Sequence, residues 1–390
     1  MFIDPKFARR FQLVEILEAM CQGLELTASQ AEDAEQRYNN VGRWLGDDPM
    51  LEGAWIYVHG SVALGTTVKP LARAEYDVDL VCHIPHGSPT IAPAVLKKVV
   101  GDRLKDRGTY VRLIEEMRRC WRLNYAGEFH MDITPSIPNP ACVLAGELVP
   151  DKELRQWKPT NPVGYRRLFE RRALLQPVFH LLKTEGYRGA ARDAAIEPYP
   201  AQTRIKGLLR RAVQLCKRHR DVYFTDRPEI APLSIIITTL AARSYEWCIN
   251  NRVFNDELEV LVAVLQSMPN FMSFDGRAWS IPNETTQGEN FAEKWNAKPE
   301  LAGAFYAWHR ECVRDLERLL ETVGRDRLQM SLAEAFGPSA ASKAMQPLTD
   351  RVASDRAAGR LAVAPGLGLI STTSAPRSTP VRPNTFFGAS

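Results

Sequence analysis

No stretch constrains this chain more than Glu75-Tyr76-Asp77-Val78-Asp79-Leu80-Val81-Cys82. Side chains two apart on a strand share a face, so Val78 and Leu80 enter a core while Asp77 and Asp79 point together on the other side. Two adjacent carboxylates on one sheet face repel each other unless a cation binds them, and hard oxygen ligands suit Mg²⁺. An isolated Asp-x-Asp is ordinarily solvated charge. Here it follows an apolar strand, Trp55 to Val58, that runs into His59-Gly60-Ser61. A Gly-Ser turn lets backbone N–H groups and a hydroxyl approach phosphate closely, which carboxylates alone cannot do. A third carboxylate, Asp132, lies on another predicted strand within Phe129-His130-Met131-Asp132-Ile133. Three convergent carboxylates can hold two Mg²⁺ ions about 4 Å apart, a clamp suited to in-line displacement at phosphorus.

The rest of the chain reads as α+β. Phe7, Phe11, Val14, Leu17 and Met20 fall at helical spacing, and Thr27-Ala28-Ser29-Gln30 predicts a capping box opening a second helix through Leu45. Arg119–Tyr125 and Glu128–Ile133 predict a hairpin around Ala126-Gly127, and Tyr165–Gln176 is a basic helical run. From Thr203 to Val323 nearly everything reads as helix. Beyond Gly337 the chain is rich in Pro, Ser, Thr, Ala and Gly, which predicts a flexible tail with one short helix near Thr349–Ala358. The expected division is a catalytic core with the N-terminal helices over 1–200, a helical lobe over 201–337 and a tail over 338–390.

Charge narrows the function classes. Net charge is +4, and the six basic and two acidic side chains from Ser339 onward account for all of it. Residues 1–338 are balanced, so the body lacks the cationic excess that holds long nucleic acid by counterion release. Obligate DNA binding is not expected. No apolar run is long enough to span a membrane, and the seven cysteines form no Cys-x-x-Cys pair, so a reduced, cytoplasmic protein without a cysteine zinc site is expected. No Gly-x-x-x-x-Gly-Lys-Ser/Thr motif is present, which argues against a P-loop ATPase. Cys82-His83 with His86 lacks a fourth ligand for tetrahedral zinc.

With Gly60-Ser61, Asp77-Val78-Asp79 and Asp132 in order, the chain resembles nucleotidyltransferases of the DNA polymerase β type. More narrowly, it resembles the bacterial CD-NTases, relatives of cyclic GMP-AMP synthase and oligoadenylate synthase. Three further blocks agree: Ala212–Phe224 around Lys217, Pro232–Leu240 around Ser234, and Glu289–Trp295. The resemblance runs from about residue 55 to 310 and departs in one place, the fifteen residues between Ser61 and Asp77, a long spacing for the superfamily. It implies a polymerase β-type core with a mixed sheet and a helical C-terminal lobe, nucleotides lying between them.

The resemblance also implies roles. Gly60 and Ser61 grip the donor triphosphate. Asp77, Asp79 and Asp132 bind two Mg²⁺ ions, with Mn²⁺ able to substitute, and Asp132 helps deprotonate the acceptor hydroxyl. Lys217 and Ser234 meet the donor phosphates. Read from residues alone, Lys217 in Lys217-Arg218-His219-Arg220 is as readily a solvated or ion-paired helix face, for instance with Asp221. The basic stretches Arg166–Arg172 and Arg204–Arg220 are expected to line the groove between lobes. The implied product is a cyclic di- or trinucleotide made from NTPs, ATP favoured and GTP beside it, for CBASS antiphage signalling, with an adenine-containing trinucleotide preferred. Rival readings are a transferase making linear oligonucleotides, extending RNA or modifying an antibiotic, and an inactive nucleotide-binding scaffold. The family further implies a HORMA-type regulator or machinery that conjugates the C-terminus, where Phe386 and Phe387 stand near the end.

Overall fold

Thr27 starts its helix as the spacing predicts: its hydroxyl accepts the Gln30 N–H, and the Gln30 side chain accepts the Thr27 N–H in return. That helix, α2 (Ala28–Gly46), follows α1 (Pro5–Leu24) in a computed structural model that describes residues 5–71, 75–125, 127–151, 153, 155–180, 207–364, 368–371 and 379–381. Strand β1 (Trp55–His59) runs directly into the one-turn helix α3 (Gly60–Leu64), and β2 (Tyr76–His83) and α4 (Pro93–Lys105) come next. The sheet is completed by β3 (Ile114–Glu116), β4 (Trp121–Tyr125), β5 (Phe129–Pro138), β6 (Glu147–Asp151) and β7 (Gln156–Thr160).

The seven strands form a mixed sheet in the order β1-β2-β5-β4-β3, with β6 and β7 continuing from the far end of β5. Only β2 and β5 pair in parallel within it; β4 and β5 form the expected hairpin. Val78, Leu80, Leu123, Met131 and Ile133 are fully buried on one face, against Ala34, Val41 and Leu45 of α2 and Val100 and Leu104 of α4. Burying each such side chain contributes about 1.5–3 kcal/mol relative to exposure. A slip of one residue in any of these strands would therefore be heavily penalised, which fixes what the other face presents.

Helix α5 (Pro162–Ala173) leads to β8 (Val178–Phe179), and the helical part begins at α6 (Gly207–Tyr223). There follow α7 (Ser234–Asn251), β9 (Val253–Phe254), α8 (Glu257–Ser267), a ribbon of β10 (Ser273–Phe274) and β11 (Trp279–Ser280), α9 (Glu293–Ala297), α10 (Glu300–Glu321) and α11 (Arg325–Phe336). Next come α12 (Pro338–Ala357), β12 (Leu361–Ala364), β13 (Gly368–Ser371) and β14 (Thr379–Pro380). Trp295 and Trp308 are buried in this helical core, as packing rather than base stacking would have them, and Trp279 is half-buried against Trp295.

Packing does not follow the divisions 1–200, 201–337 and 338–390. Leu13, Ile16, Leu17, Met20, Cys21 and Leu24 of α1 belong to the helical core, and Arg211 of α6 ties α1 down through Glu18 and Glu25. Phe169 and Ala173 of α5 join the same core. The tail expected to be flexible begins instead as a twenty-residue helix, α12, with Ala340, Ala341, Ala344 and Met345 buried. Alanines carry little hydrophobic signal in a composition, yet they let two helices approach closely. The terminal Phe386 and Phe387 lie outside the described residues.

Candidate active site

Sheet register assembles the site. His59 pairs with Asp79 across β1 and β2, Asp79 with Asp132 across β2 and β5, and Asp132 with Arg122 across β5 and β4. Directly paired residues share a face, so these four form one row on the face opposite the α2/α4 core. Asp77 lies on the next row, opposite His130. Gly60 closes one end: its φ is +65°, and a Cβ there would sit 2.1 Å from Asp79 Oδ2. Only glycine permits both the left-handed backbone and that approach. The Gly-Ser turn expected from sequence is thus the first turn of α3, with His59 immediately before it.

Arg122, which the motif reading passed over, is the cation of this row. Its Nε and Nη2 donate to the two oxygens of Asp132 at 2.7 and 2.8 Å, and Nη2 also reaches Asp77 Oδ1 at 3.4 Å. The parallel fork matches a carboxylate in geometry as well as charge. Its carboxylate partners raise the guanidinium's already high pKa. Burial pushes the Asp79 carboxyl above its usual range, with Asp132 adding to the rise. Burial and then the neighbouring Asp79 carboxylate raise Asp77 as well. The row therefore holds more negative charge than its own cation neutralises.

Of the fifteen residues between Ser61 and Asp77, the part from Leu64 to Lys69 is held by α6. Arg210 Nε donates to Leu64 O at 2.9 Å, Gln214 Nε2 to Thr67 O at 3.0 Å, and Lys217 Nζ to Thr66 O and Oγ1 at 3.1 and 3.2 Å. Arg218 continues the series, reaching Lys69 O at 3.3 Å and Phe336 O at 2.8 Å. The basic run is therefore not a solvated face: Arg211, Lys217 and Arg218 are buried, and Asp221 pairs with Arg220 rather than Lys217. Burial, with Arg220 beside it, lowers the Lys217 ammonium to about 7. Arg220 also donates to Ser234 Oγ at 3.2 Å at the start of α7. Arg172 does not line the groove as expected; it is buried between Glu246 and Glu284.

A cavity of about 680 Å³ brings Gly60, Ser61, Asp77, Asp79, Lys217 and Ser234 together. Asp132 is absent from its wall and stands one strand behind Asp79, in the grip of Arg122. A second cavity of about 430 Å³ adjoins the first, sharing Gly60, Leu64 and Ile235 with it. Its lining includes His59, Thr134, Tyr165, Asn283 and Glu289, and His59 Nε2 is buried there without a hydrogen-bond partner. Burial pushes the Glu289 carboxyl upward, against the hydrogen bonds from Asn283 and Thr160.

Among the described residues no three His, Cys, Asp or Glu side chains are gathered closely enough to hold a metal ion. The donor set nonetheless fits a divalent cation: hard carboxylates on adjacent strands, two with raised pKa values, already bridged between Asp77 and Asp132 by a guanidinium that stands in for a cation. His83, by contrast, is engaged with Ser136 Oγ at 3.0 Å, and Cys82 is buried in the sheet core, so neither belongs to a metal site.

Residues 12–172 match the Second Messenger Oligonucleotide or Dinucleotide Synthetase (SMODS) domain. A c-di-GMP synthase of Roseivirga ehrenbergii is 32% identical over 388 residues, covering 97% of either chain. The cyclic dinucleotide synthase CdnG of Bradyrhizobium diazoefficiens is 25% identical over 375 residues, 90% of this chain and 85% of that one. Among solved structures, B. diazoefficiens CdnG in complex with GTP superposes with a TM-score of 0.65 at 21% identity, over 86% of this chain and 98% of that one. Escherichia coli DncV bound to 3'-deoxy GTP gives a TM-score of 0.52 at 16% identity, over 87% and 89%. The mixed sheet bearing this carboxylate row, its helical lobe and these likenesses together make the chain a member of the bacterial CD-NTase family, nucleotidyltransferases that make cyclic oligonucleotides.

Proposed function

We propose that this chain joins two nucleoside triphosphates into a cyclic dinucleotide containing guanine, in a metal-dependent reaction, as the signal of a cytoplasmic antiphage (CBASS) system. The observation that carries the reading is the pair of adjoining cavities on either side of α3, one lined by the expected phosphate-binding groups and carboxylates. Gly60, Ser61, Lys217 and Ser234 hold the donor triphosphate in the larger cavity, and the acceptor nucleoside occupies the smaller one. Asp77, Asp79 and Asp132 are the residues to hold Mg²⁺, which would supply Lewis acidity at phosphorus and neutralise the departing pyrophosphate. Asp132 accepts the proton of the attacking ribose hydroxyl, and burial in the cleft excludes water that would otherwise compete. The dinucleotide and guanine preference departs from the adenine trinucleotide expected at first. It is supported by the names of the two curated relatives and by the GTP bound to CdnG.

The test is incubation of purified protein with Mg²⁺ and labelled ATP, GTP, CTP and UTP, singly and mixed, followed by phosphatase treatment and mass spectrometry. A phosphatase-resistant guanine dinucleotide is the expected product. Phosphatase-sensitive products would favour the linear transferase, and no pyrophosphate release, even with partners added, would favour the scaffold. Regulation by a HORMA-type protein or by conjugation at the C-terminus belongs to the same proposal. Deleting Thr385–Ser390 should then spare synthesis in vitro and impair defence in cells.

A further inference from the structure

The Asp132–Arg122 fork is more than a surface ion pair, because the row in which it lies is the one that must bind metal and substrate. We propose that Arg122 is a positioning residue and the site's built-in counter-ion: it fixes Asp132 through a two-point fork, while its lone contact with Asp77 is the one a divalent cation replaces. The two contacts differ in kind. On Asp132 the guanidinium is in register, half-buried and bidentate at 2.7 and 2.8 Å; on Asp77 it is a single contact at 3.4 Å to a side chain that is 56% exposed. Loading the site therefore breaks the weaker contact and keeps the fork. The fork occupies one direction on each Asp132 oxygen, and the Cys120 thiol is a further partner of the carboxylate, so Asp132 is held from the β4 side. It also accounts for the absence of a compact metal-binding trio among the described residues, since Asp132 is drawn toward β4 instead of toward Asp77. Lys217 bears on Asp79 and is held by Thr66, while the charged neighbours of Asp77 are Asp79, Arg122, Asp132 and His130, so Arg122 is the counter-ion that Asp77 and Asp132 share.

The inference deepens the proposed reaction and rests on it for the role of Asp132, but the counter-ion part can be read without turnover. Mn²⁺ binding to the nucleotide-free full-length protein is measured by electron paramagnetic resonance, beside kcat and KM for GTP, in wild type, Arg122→Gln and Arg122→Lys. Arg122→Gln should tighten Mn²⁺ about three- to tenfold by removing the competing charge. It should also lower kcat on the order of ten- to a hundredfold with little change in KM, because Asp132 loses its orientation. Arg122→Lys keeps the charge without the fork, so Mn²⁺ affinity should return towards wild type while kcat stays low. Unchanged Mn²⁺ affinity in Arg122→Gln would overturn the counter-ion role, and full kcat in Arg122→Lys would overturn the positioning role. Should Arg122→Gln fail to fold, as thermal melting would show, Arg122→Lys with its kcat decides the positioning role, and Arg122→Met, which keeps the apolar stem and removes the charge, decides the counter-ion role by the same Mn²⁺ measurement. A wild type that binds Mn²⁺ as expected but makes no product would sink the reaction, not the counter-ion.

Discussion

The sheet lobe and the helical lobe deliver their groups to one cleft by different means. In the sheet, His59, Asp79, Asp132 and Arg122 line up because four strands are locked in register by the apolar face beneath them. In the helical lobe, Lys217 reaches the cleft because one side of α6 grips Leu64–Lys69 through four side chains and four carbonyls, with Arg218 also holding Phe336 O of α11. The first arrangement is periodic and local; the second depends on where an entire helix docks. The carboxylates and Arg122 are thus placed by the sheet and the Lys217 ammonium by helix packing, and both sides line the cavity that holds Gly60 and Ser61.

The sharpest way to break this contrast is to neutralise the anions. Asp77→Asn with Asp79→Asn should reduce pyrophosphate release by about 10³-fold or more while the melting temperature holds or rises, since the two carboxylates repel each other on one sheet face; surviving turnover would mean that these carboxylates are not the reaction centre. Next in size, Gly60→Ala forces a Cβ against Asp79 and should lower kcat on the order of 10²-fold, with nucleotide binding less affected. An unchanged kcat with weaker nucleotide affinity would mean that Gly60 serves the triphosphate alone and not the placement of Asp79.

On the helical side, Lys217→Met should raise the donor KM on the order of tenfold. Its pH behaviour tests the burial itself. The folded-state pKa of about 7 lies below the ordinary 10.5, so between those values the unfolded chain binds more protons, and wild-type stability gains from this group as pH rises through that window. Urea midpoints from pH 6 to 10 should show a rise in wild type that Lys217→Met lacks. Triphosphate raises the same pKa, so binding takes up a proton above pH 7, and the affinity for a non-hydrolysable GTP analogue should weaken with increasing pH in wild type more than in the variant. The smallest effect on activity is expected from Met345→Ala in α12, which should cost about 2–3 kcal/mol of stability and leave kcat unchanged. A neutral melting temperature would show that α12 is not part of the core.

Much of the sheet side was legible in the residues. Alternation at Tyr76–Leu80 placed Asp77 and Asp79 on one face, and the hairpin around Ala126-Gly127 was legible as a hairpin. That same hairpin, with Tyr125 paired to Phe129, already sets Arg122 opposite Asp132; the signal was available, but a motif of carboxylates draws attention away from a neighbouring cation. The helical side was less legible because several environments produce the same pattern. Lys217-Arg218-His219-Arg220 would look alike on a solvated helix, and burial of three of the four side chains follows from the docking of the segment after α3, of α10 and of α11 around them. The start of the tail was misjudged for a related reason, since Ala340, Ala341 and Ala344 show their value only against α1 and α11.

By itself, then, the sequence determined the period-two strands, the capping box, the glycine at the turn and the three carboxylates, all of which depend on interactions within a few residues. The tertiary structure alone decided that α1, α5 and α12 join the helical core, that Lys217 is buried with its pKa near 7, that Asp132 is held by Arg122, and that two cavities flank α3. Those outcomes depend on which surfaces meet across long stretches of chain. Burial and a neighbouring charge set the behaviour of an ionisable group, and neither is encoded in the few residues beside it.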